Sequence, residues 1–328
     1  GIYAYMGIAY TIFRLLIVYI LLIVHIDKLI LYACAMTSID LIMFIVYKTY
    51  CKKSFVECRY QSVTDKLLYK EIMSFAGWNL CGNIAGTCSR QGIDIVLNLF
   101  FGTTINAARA IAAQLTGAIA QFVANFQTAM NPQITKSYVA NDFSYLHTLI
   151  YNGGKYSFLL LYAISLPIII EMPYVLKIWI NIVPDYAVMF CRIALVDACI
   201  QTLSGPLITA MLATGDIKKY QLVVSSIILL ILPISYLLLK IGFSPVSVML
   251  TIVVISILSF IARFVMLQHK IQLSMRLYIK SVIYPILVII GITLIPPMLI
   301  HEFVEASIYR VCYVGVVSVF VSGIAIYY

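Results

Sequence analysis

Charged residues are scarce in this sequence, and their scarcity excludes a soluble globular protein. Asp, Glu, Lys and Arg make up 11% of the 328 residues, whereas hydrophobic residues make up 63%. Soluble domains carry about 25% charged residues. The apolar residues form long unbroken runs, without the polar/apolar alternation of a membrane β-barrel. Since about 20 apolar residues in a helix cross a bilayer, the runs predict an all-α polytopic membrane protein.

The sequence also lacks the motifs of metal sites and of enzymes. It has four His and eight Cys, with no CxxC pair, no Cys/His cluster and no HExxH motif. A glycine-rich phosphate loop and an ATP-binding module are missing as well. We therefore expect no catalytic residue, no metal and no cofactor. Any work that the protein performs would draw on an ion gradient, the membrane potential or the gradient of its own substrate.

Acidic residues are fewer than basic ones, 13 against 22, which gives a net charge of +9. In a soluble protein this excess would suggest nucleic acid as a partner. In a membrane protein, however, Lys and Arg accumulate in cytoplasmic loops. Most of them here fall in one set of alternate loops, which includes basic linkers at Lys48–Lys70 and at Arg263–Lys280. We therefore expect these loops and the C-terminus to be cytoplasmic, and no nucleic acid to bind.

The apolar runs predict about ten transmembrane helices by their length. A tight turn at Phe101–Thr104 is expected between the third and the fourth, and a break at Gly205-Pro206 within the sixth. Glu171 and Lys177 are expected to be solvated at the membrane surface. The segments are Tyr3–Val24, Leu29–Tyr47, Phe75–Phe101, Ile105–Tyr138, Tyr156–Ile170, Tyr186–Leu212, Tyr220–Leu239, Val246–Leu267, Val282–Ile300 and Tyr309–Tyr328.

The third and fourth segments carry polar residues at helical spacing. A charged group in hydrocarbon costs roughly 2.5 to 3.5 kcal/mol, so it should face the protein interior or a wet cavity. Two neighbouring membrane helices with polar stripes therefore predict a solvated path, which is typical of a transporter. The stripe of the third segment holds Asn79, Asn83, Arg90, Asp94 and Asn98, and the fourth segment holds Arg109, Gln114, Gln121, Asn125 and Thr128.

Each charged residue of these stripes also has a purely structural interpretation. Arg90 and Asp94 are four residues apart, so they could form an ion pair that lowers the cost of insertion. Arg109 has no acidic residue on its own helix, which favours contact with a ligand or with another helix. It also lies near the start of its segment, where a long side chain could reach the membrane surface.

Arg14, Asp40 and Asp197 also lie inside apolar segments. Arg14 has no acidic residue nearby and would pair with another helix or line the cavity. Asp40 would serve as a proton or cation site or as a helix–helix contact. Asp197 shares a helix face with Gln201, which suggests cavity lining. The complete set of predicted cavity residues is Arg14, Asn83, Arg90, Asp94, Asn98, Arg109, Gln114, Gln121, Asn125 and Asp197.

Several motifs resemble those of the polysaccharide flippases, the O-antigen and oligosaccharide exporters of the multidrug/oligosaccharidyl-lipid/polysaccharide superfamily. The resemblance covers nearly the whole chain and is most specific over Phe75–Tyr138. Its residues are FAGWNLCGNIAG, QGIDIVLNLFFG, INAARAIAAQL and QFVANFQTAMNPQITKSY, then Ser165-Leu166-Pro167, VPDYA at Val183–Ala187, SGPLITAMLATGDIKKYQ at Ser204–Gln221 and LPISY at Leu232–Tyr236.

The resemblance implies two bundles of six helices, often followed by two more helices. Residues 1–50 would be the last two helices of the N-terminal bundle, with about four helices missing before them. Residues 51–70 would be a cytoplasmic linker, 71–268 the C-terminal bundle and 269–328 the two additional helices. The family's cationic cavity binds a lipid-linked diphosphate; Arg90 and Arg109 match its second bundle, and Arg14 would come from the first.

The expected function is then to move undecaprenyl-diphosphate-linked oligosaccharide from the cytoplasmic to the periplasmic leaflet of the bacterial inner membrane. The expected partners are that substrate, membrane lipids and a coupling cation or proton. Two alternatives stay open. A drug/cation antiporter of the same superfamily would favour a cavity rich in acidic residues, whereas the segments here hold as many arginines as carboxylates. A membrane-embedded glycan polymerase would show a large periplasmic loop, which the sequence lacks.

Overall fold

A computed structural model of the protein describes residues 2–23, 27–55, 58, 65–303 and 308–327, which are helical almost throughout and contain no strand. Val24, Tyr328 and linker residues 56, 57 and 59–64 lie outside the described residues. The helices are α1 (Ile2–Ile23), α2 (Lys28–Ser54), α3 (Lys66–Phe101), α4 (Thr103–Val139), α5 (Phe143–Ile170), α6 (Met172–Ile180), α7 (Ala187–Ala213), α8 (Lys218–Leu229), α9 (Ile231–Lys240), α10 (Val246–Ile271), α11 (Met275–Tyr278), α12 (Tyr284–Phe303) and α13 (Ile308–Tyr327), with a π-helical turn at Ile279–Ile283 before α12.

Seven helical stretches in the described part of the chain are long and apolar enough to cross a membrane. This confirms the prediction of an all-helical, multi-pass membrane protein. The other three predicted segments correspond to α1, α3 and α13, and a count of ten membrane spans stays a prediction. The seven stretches are Lys28–Ser54, Thr103–Val139, Phe143–Ile170, Ala187–Ala213, Lys218–Ile241, Val246–Ile271 and Met275–Leu299.

The chain divides into two compact units, Gly1–Lys66 and Leu67–Tyr328. In the first, α1 and α2 bury Ile17 against Ile39 and Met43. The Tyr10 hydroxyl donates to Asp40 Oδ1 at 2.9 Å, so Asp40 takes part in a helix–helix contact, one of its two expected roles. In the second unit, α4, α5, α7 and α10 pack together, and α12 and α13 pack on α5. The assignment of bundles within a larger fold stays a prediction.

The predicted turn between the third and fourth segments is confirmed at Gly102. It lies between Phe101, the last residue of α3, and Thr103, the first of α4, with φ 75° and ψ −165°. Positive φ is readily adopted by glycine and is costly for other residues. The turn therefore reverses the chain between α3 and α4, and it brings Asn106 and Arg109 of α4 to Asp94 of α3.

The predicted break at Gly205-Pro206 is wrong, because α7 continues through both residues to Ala213. Proline has no N–H and leaves the carbonyl four residues earlier without its helical donor, here that of Thr202. The side-chain amide of Gln127 on α4 supplies the donor instead, with Nε2 at 2.9 Å from the Thr202 oxygen. Gly205 makes room for it, since a Cβ there would lie 2.3 Å from Gln127 Oε1.

The second basic linker predicted at Arg263–Lys280 is also wrong in extent. Arg263 and Lys270 both belong to α10, which ends at Ile271, and α11 begins at Met275. Lys270 stabilises the end of this helix by contacts with Asp216, donating to its backbone oxygen at 2.6 Å. Arg263 instead faces the interior of the unit, so it is not a loop residue.

Candidate functional site

A cavity of the second unit lies between α3, α4, α7 and α10, and it has a volume of about 550 Å³. Small residues create the space on the α4 side, where Ala113, Gly117, Ala120 and Ala124 recur every three or four positions along the lining. Such spacing places them on one helix face. The polar groups that line the cavity are Ser89, Arg90, Arg109, Thr116, Gln127, Asp197, Gln201, Thr202, Ser256, Ser259 and Arg263.

One end of the cavity contains the α3–α4 hairpin and its ion pair. Arg109 donates to the carboxylate of Asp94 through Nη1, and to the backbone oxygen of Arg90 through Nη2 at 3.2 Å. Asn106 Nδ2 adds a bond of 3.0 Å to the backbone oxygen of Asp94. The Arg109 side chain is 14% exposed and that of Asp94 is 44% exposed. The hairpin is therefore held together by a charged contact beside the cavity.

This pairing differs from the expected ion pair between Arg90 and Asp94. Arg90 is exposed, its Nη2 lies 3.4 Å from Thr87 Oγ1, and it lines the cavity. In the residues described, Arg90 has no carboxylate within ion-pair distance. The turn at Gly102 explains why Asp94 pairs with Arg109 and not with Arg90, because it places Arg109 of the neighbouring helix next to Asp94. Arg109 does meet another helix, as one of its interpretations expected.

Asp197 of α7 also lines the cavity, and it is 8% exposed. Gln201 Nε2 donates to Oδ2 at 2.6 Å, whereas Oδ1 has no donor in the part of the chain that the structure describes. Ser256 of α10 lies beside the same carboxyl group. No Lys or Arg of the described ranges is within ion-pair distance of it. Asp197 therefore brings a carboxyl group without a cationic partner into the cavity, as the sequence suggested.

The other end of the cavity is formed by residues that sequence reasoning missed. Arg263 donates to Ser204 Oγ at 3.1 Å and to the Tyr220 hydroxyl at 3.4 Å. Gln127 bonds to Ser157 Oγ at 3.0 Å as well as to Thr202. A signal for Arg263 was present in the sequence, because Ser256, Ser259 and Arg263 recur at steps of three and four on one face of an apolar segment.

The remaining predicted cavity residues lie elsewhere. Asn83, Asn98, Gln114, Gln121 and Asn125 are exposed and are not part of the cavity lining. Gln121 and Asn125 bond to each other, with Nε2 and Oδ1 3.2 Å apart. On α4, Gln114, Gln121 and Asn125 thus lie on a different face from the cavity lining, which Arg109 shares with Gln127.

Two further arginines have local structural partners. Arg14 belongs to the first unit, where its guanidinium carbon lies 5.0 Å from the centre of the Tyr10 ring. Arg192 donates to the backbone oxygens of Ile169 and Ile170 at 2.9 and 3.3 Å. These are the last carbonyls of α5, which lack helical donors. Arg192 therefore stabilises a helix end.

The chemistry of the cavity is that of binding an anion or a polar molecule. Guanidinium groups are planar hydrogen-bond donors that suit phosphate and carboxylate. No group of three or more His, Cys, Asp or Glu that could hold a metal ion occurs in the described residues. A search of protein-family models, of curated proteins and of solved structures found no match for this chain.

Proposed function

We propose that this protein is a transporter of the inner membrane of bacteria that moves undecaprenyl-diphosphate-linked oligosaccharide from the cytoplasmic to the periplasmic leaflet. The observation that supports it is the charge of the cavity. Arg90, Arg109 and Arg263 all line it, against Asp197 alone among the carboxylates of the described lining. An arginine can donate two parallel hydrogen bonds to a phosphate group. Cargo with a diphosphate would therefore be favoured over a cationic drug.

Alternating access would move the cargo past these residues. In transporters of this general type, two helical bundles rock around a site near the middle of the membrane. The cavity has apolar walls of Ile93, Ile193, Ile252 and Ile255 between its charged groups. Charged hydrogen bonds are stronger in such surroundings than in water. The walls would thus allow a few arginines to select the diphosphate, while the sugars make weaker contacts.

Complementation tests this function. In a strain that lacks its own flippase but makes the lipid-linked glycan, the protein should restore display of the glycan on the cell surface. The measurement is surface glycan by antibody or lectin, together with the abundance of the protein in the membrane. Normal abundance without glycan display, in strains that offer different glycans, would contradict the proposal.

Asp197 favours a second candidate, a drug antiporter driven by a cation or proton. A buried carboxyl group with one unused oxygen is suited to exchange a proton or to bind a cation. Efflux of the cationic dye ethidium, driven by a pH or sodium gradient and lost in Asp197→Asn, would support this candidate. Under the proposed function, dye efflux should equal that of cells without the protein.

The topology that this function requires can be tested with the two ends of one span. We expect Lys219 to be cytoplasmic and Lys240 to be periplasmic, because basic loops stay on the cytoplasmic side. The two residues lie at opposite ends of the stretch Lys218–Ile241. Lys240→Cys should react with an impermeant maleimide added to intact cells, and Lys219→Cys only after lysis. The unsubstituted protein is the control for maleimide labelling of the native cysteines. Labelling of Lys219→Cys in intact cells, with Lys240→Cys labelled only after lysis, would show the opposite orientation.

A further inference from the structure

We infer that Arg263 forms a second anion-binding site, at the end of the cavity opposite to Arg90 and Arg109. The inference rests on the proposed function for the identity of the anion, the diphosphate of a lipid-linked cargo. To the proposed function, the second site adds one more position on the transport path. It also adds Arg263, which the sequence had assigned to a loop. Its basis is the set of partners around Arg263, together with the distance between the two charged ends of the cavity.

The partners of Arg263 are neutral, unlike those of the paired arginines. Ser204 and Tyr220, whose hydroxyl oxygens it contacts, are 3% and 4% exposed. Arg109 has Asp94, and Arg310 has Glu171. In the ranges that the structure describes, no carboxylate lies within ion-pair distance of Arg263. Its charge is therefore held in place but not neutralised by these neighbours.

The same geometry leaves hydrogen-bond donors available. A guanidinium has five N–H groups and no acceptor, so the two hydroxyl oxygens must accept from it. Arg263, which lines the cavity, then keeps further N–H groups for a ligand there. A phosphate group, whose oxygens accept several charge-assisted hydrogen bonds, matches this set of donors. Burial of the hydroxyls fixes the guanidinium in advance and reduces the entropic cost of binding.

The two charged ends are too far apart for one diphosphate to bridge them. Gln127 marks the Arg263 end on α4, because it bonds to Thr202, two residues before the Ser204 that Arg263 contacts. Along α4, the backbone positions of Arg109 and Gln127 are about five helical turns apart, or roughly 27 Å. A diphosphate is far shorter than this. It would therefore contact Arg263 and the Arg90/Arg109 end one after the other.

The order of the two sites follows from the direction of the helices. Beyond Arg263, α10 continues to Lys270, which contacts Asp216 in the loop after α7. That loop and Lys219 are on the side predicted to be cytoplasmic. Arg263 is thus the site that a diphosphate from the cytoplasmic leaflet would reach first, and Arg109 lies toward the α3–α4 turn on the other side.

Pyrophosphate binding tests the site without any glycan. The purified protein, in nanodiscs of neutral phosphatidylcholine, should bind inorganic pyrophosphate, and Arg263→Gln should weaken this binding at least about tenfold because charge-assisted bonds are lost. Arg263→Lys should weaken it less. Lys240→Gln removes one charge outside the cavity lining and should have no effect. Ser204→Ala keeps the charge but removes one of the groups that hold the guanidinium in place, so it should weaken pyrophosphate binding several-fold. This variant replaces Arg263→Gln as the test if Arg263→Gln fails to fold.

The results distinguish this site from the proposed function. Unchanged pyrophosphate binding in Arg263→Gln, or no binding by the unsubstituted protein, would overturn the second site even if the protein restores glycan display. Loss of binding in Arg263→Gln without any glycan display by the unsubstituted protein would support the site and contradict the cargo. Farnesyl diphosphate should bind more tightly than pyrophosphate if the anion belongs to a lipid, and equal affinities would overturn a lipid-linked source.

Discussion

Arg310→Ala should lower the free energy of unfolding by about 3–5 kcal/mol, the cost of removing one member of a buried ion pair. Arg310 of α13 donates to Glu171 Oε2 at 2.7 Å, and the Glu171 side chain is 1% exposed. Glu171 lies where α5 ends and α6 begins, so the pair fixes the last helix to the main bundle. The measurement is unfolding of the purified protein by SDS titration in mixed micelles, followed by circular dichroism.

An exposed ion pair of the same unit supplies the matched control. Lys270 and Asp216 are 3.1 Å apart, with side chains 29% and 73% exposed. Lys270→Ala should cost no more than about 1 kcal/mol, because water solvates the carboxylate that remains. Adding Glu171→Gln to Arg310→Ala should recover part of the lost stability, since no buried charge is then left. If Arg310→Ala and Lys270→Ala lower the free energy of unfolding equally, the buried Glu171–Arg310 pair stabilises the protein no more than the exposed pair does.

The pair also shows what the sequence could not predict. Glu171 and Arg310 are separated by 139 positions, and the local sequence around each residue does not indicate that the other is its partner. Glu171 stands beside Pro173 at the end of an apolar segment, a place where charged residues are usually solvated. The packing of α13 against α5 brings Arg310 to it, and Glu171 is buried. The expectation that Glu171 is solvated was therefore wrong, whereas Lys177, in the same short stretch, is exposed.

The helices themselves were predictable because apolar run length decides them. The structure places helices at all the predicted segments, and Gly102 forms the predicted turn. Helix breaks were less predictable, since they depend on distant donors. Pro206 leaves α7 intact because Gln127 bonds to Thr202. In contrast, the stretch with Pro233 divides after Leu229, whose carbonyl is the one that this proline leaves without a helical donor.

Lining residues of the candidate site were predictable on α3, α4 and α7 but not on α10. Polar residues within apolar segments identified Arg90, Arg109 and Asp197, and all three line the cavity. Arg263 escaped notice because hydropathy reports the composition of a segment and not the direction of each side chain. Near the end of an apolar run, a basic residue in a loop and one that faces a cavity have the same local sequence. Contacts with α7 and α8 distinguish them here.

Arg109→Ala should reduce glycan display about 100-fold, since it removes more than one charge-assisted hydrogen bond to a diphosphate. It should also lower the abundance of the protein, because Asp94 then loses its partner beside the cavity. Arg109→Lys keeps the charge without the paired donor geometry and should retain part of the activity. The measurement is surface glycan per membrane-inserted protein in the strain that lacks its own flippase.

Asp94→Asn in the Arg109→Ala background distinguishes ligand binding from pairing. The double variant has neither charge, so its abundance should return toward that of the unsubstituted protein. If Arg109 binds the cargo, display should stay low in spite of the recovered abundance. Arg90→Ala should leave abundance unchanged, because Asp94 keeps Arg109 as its partner. Full display by the double variant would show that Arg109 only holds the α3–α4 hairpin, and the anion would then have to be bound by Arg90 and Arg263 alone.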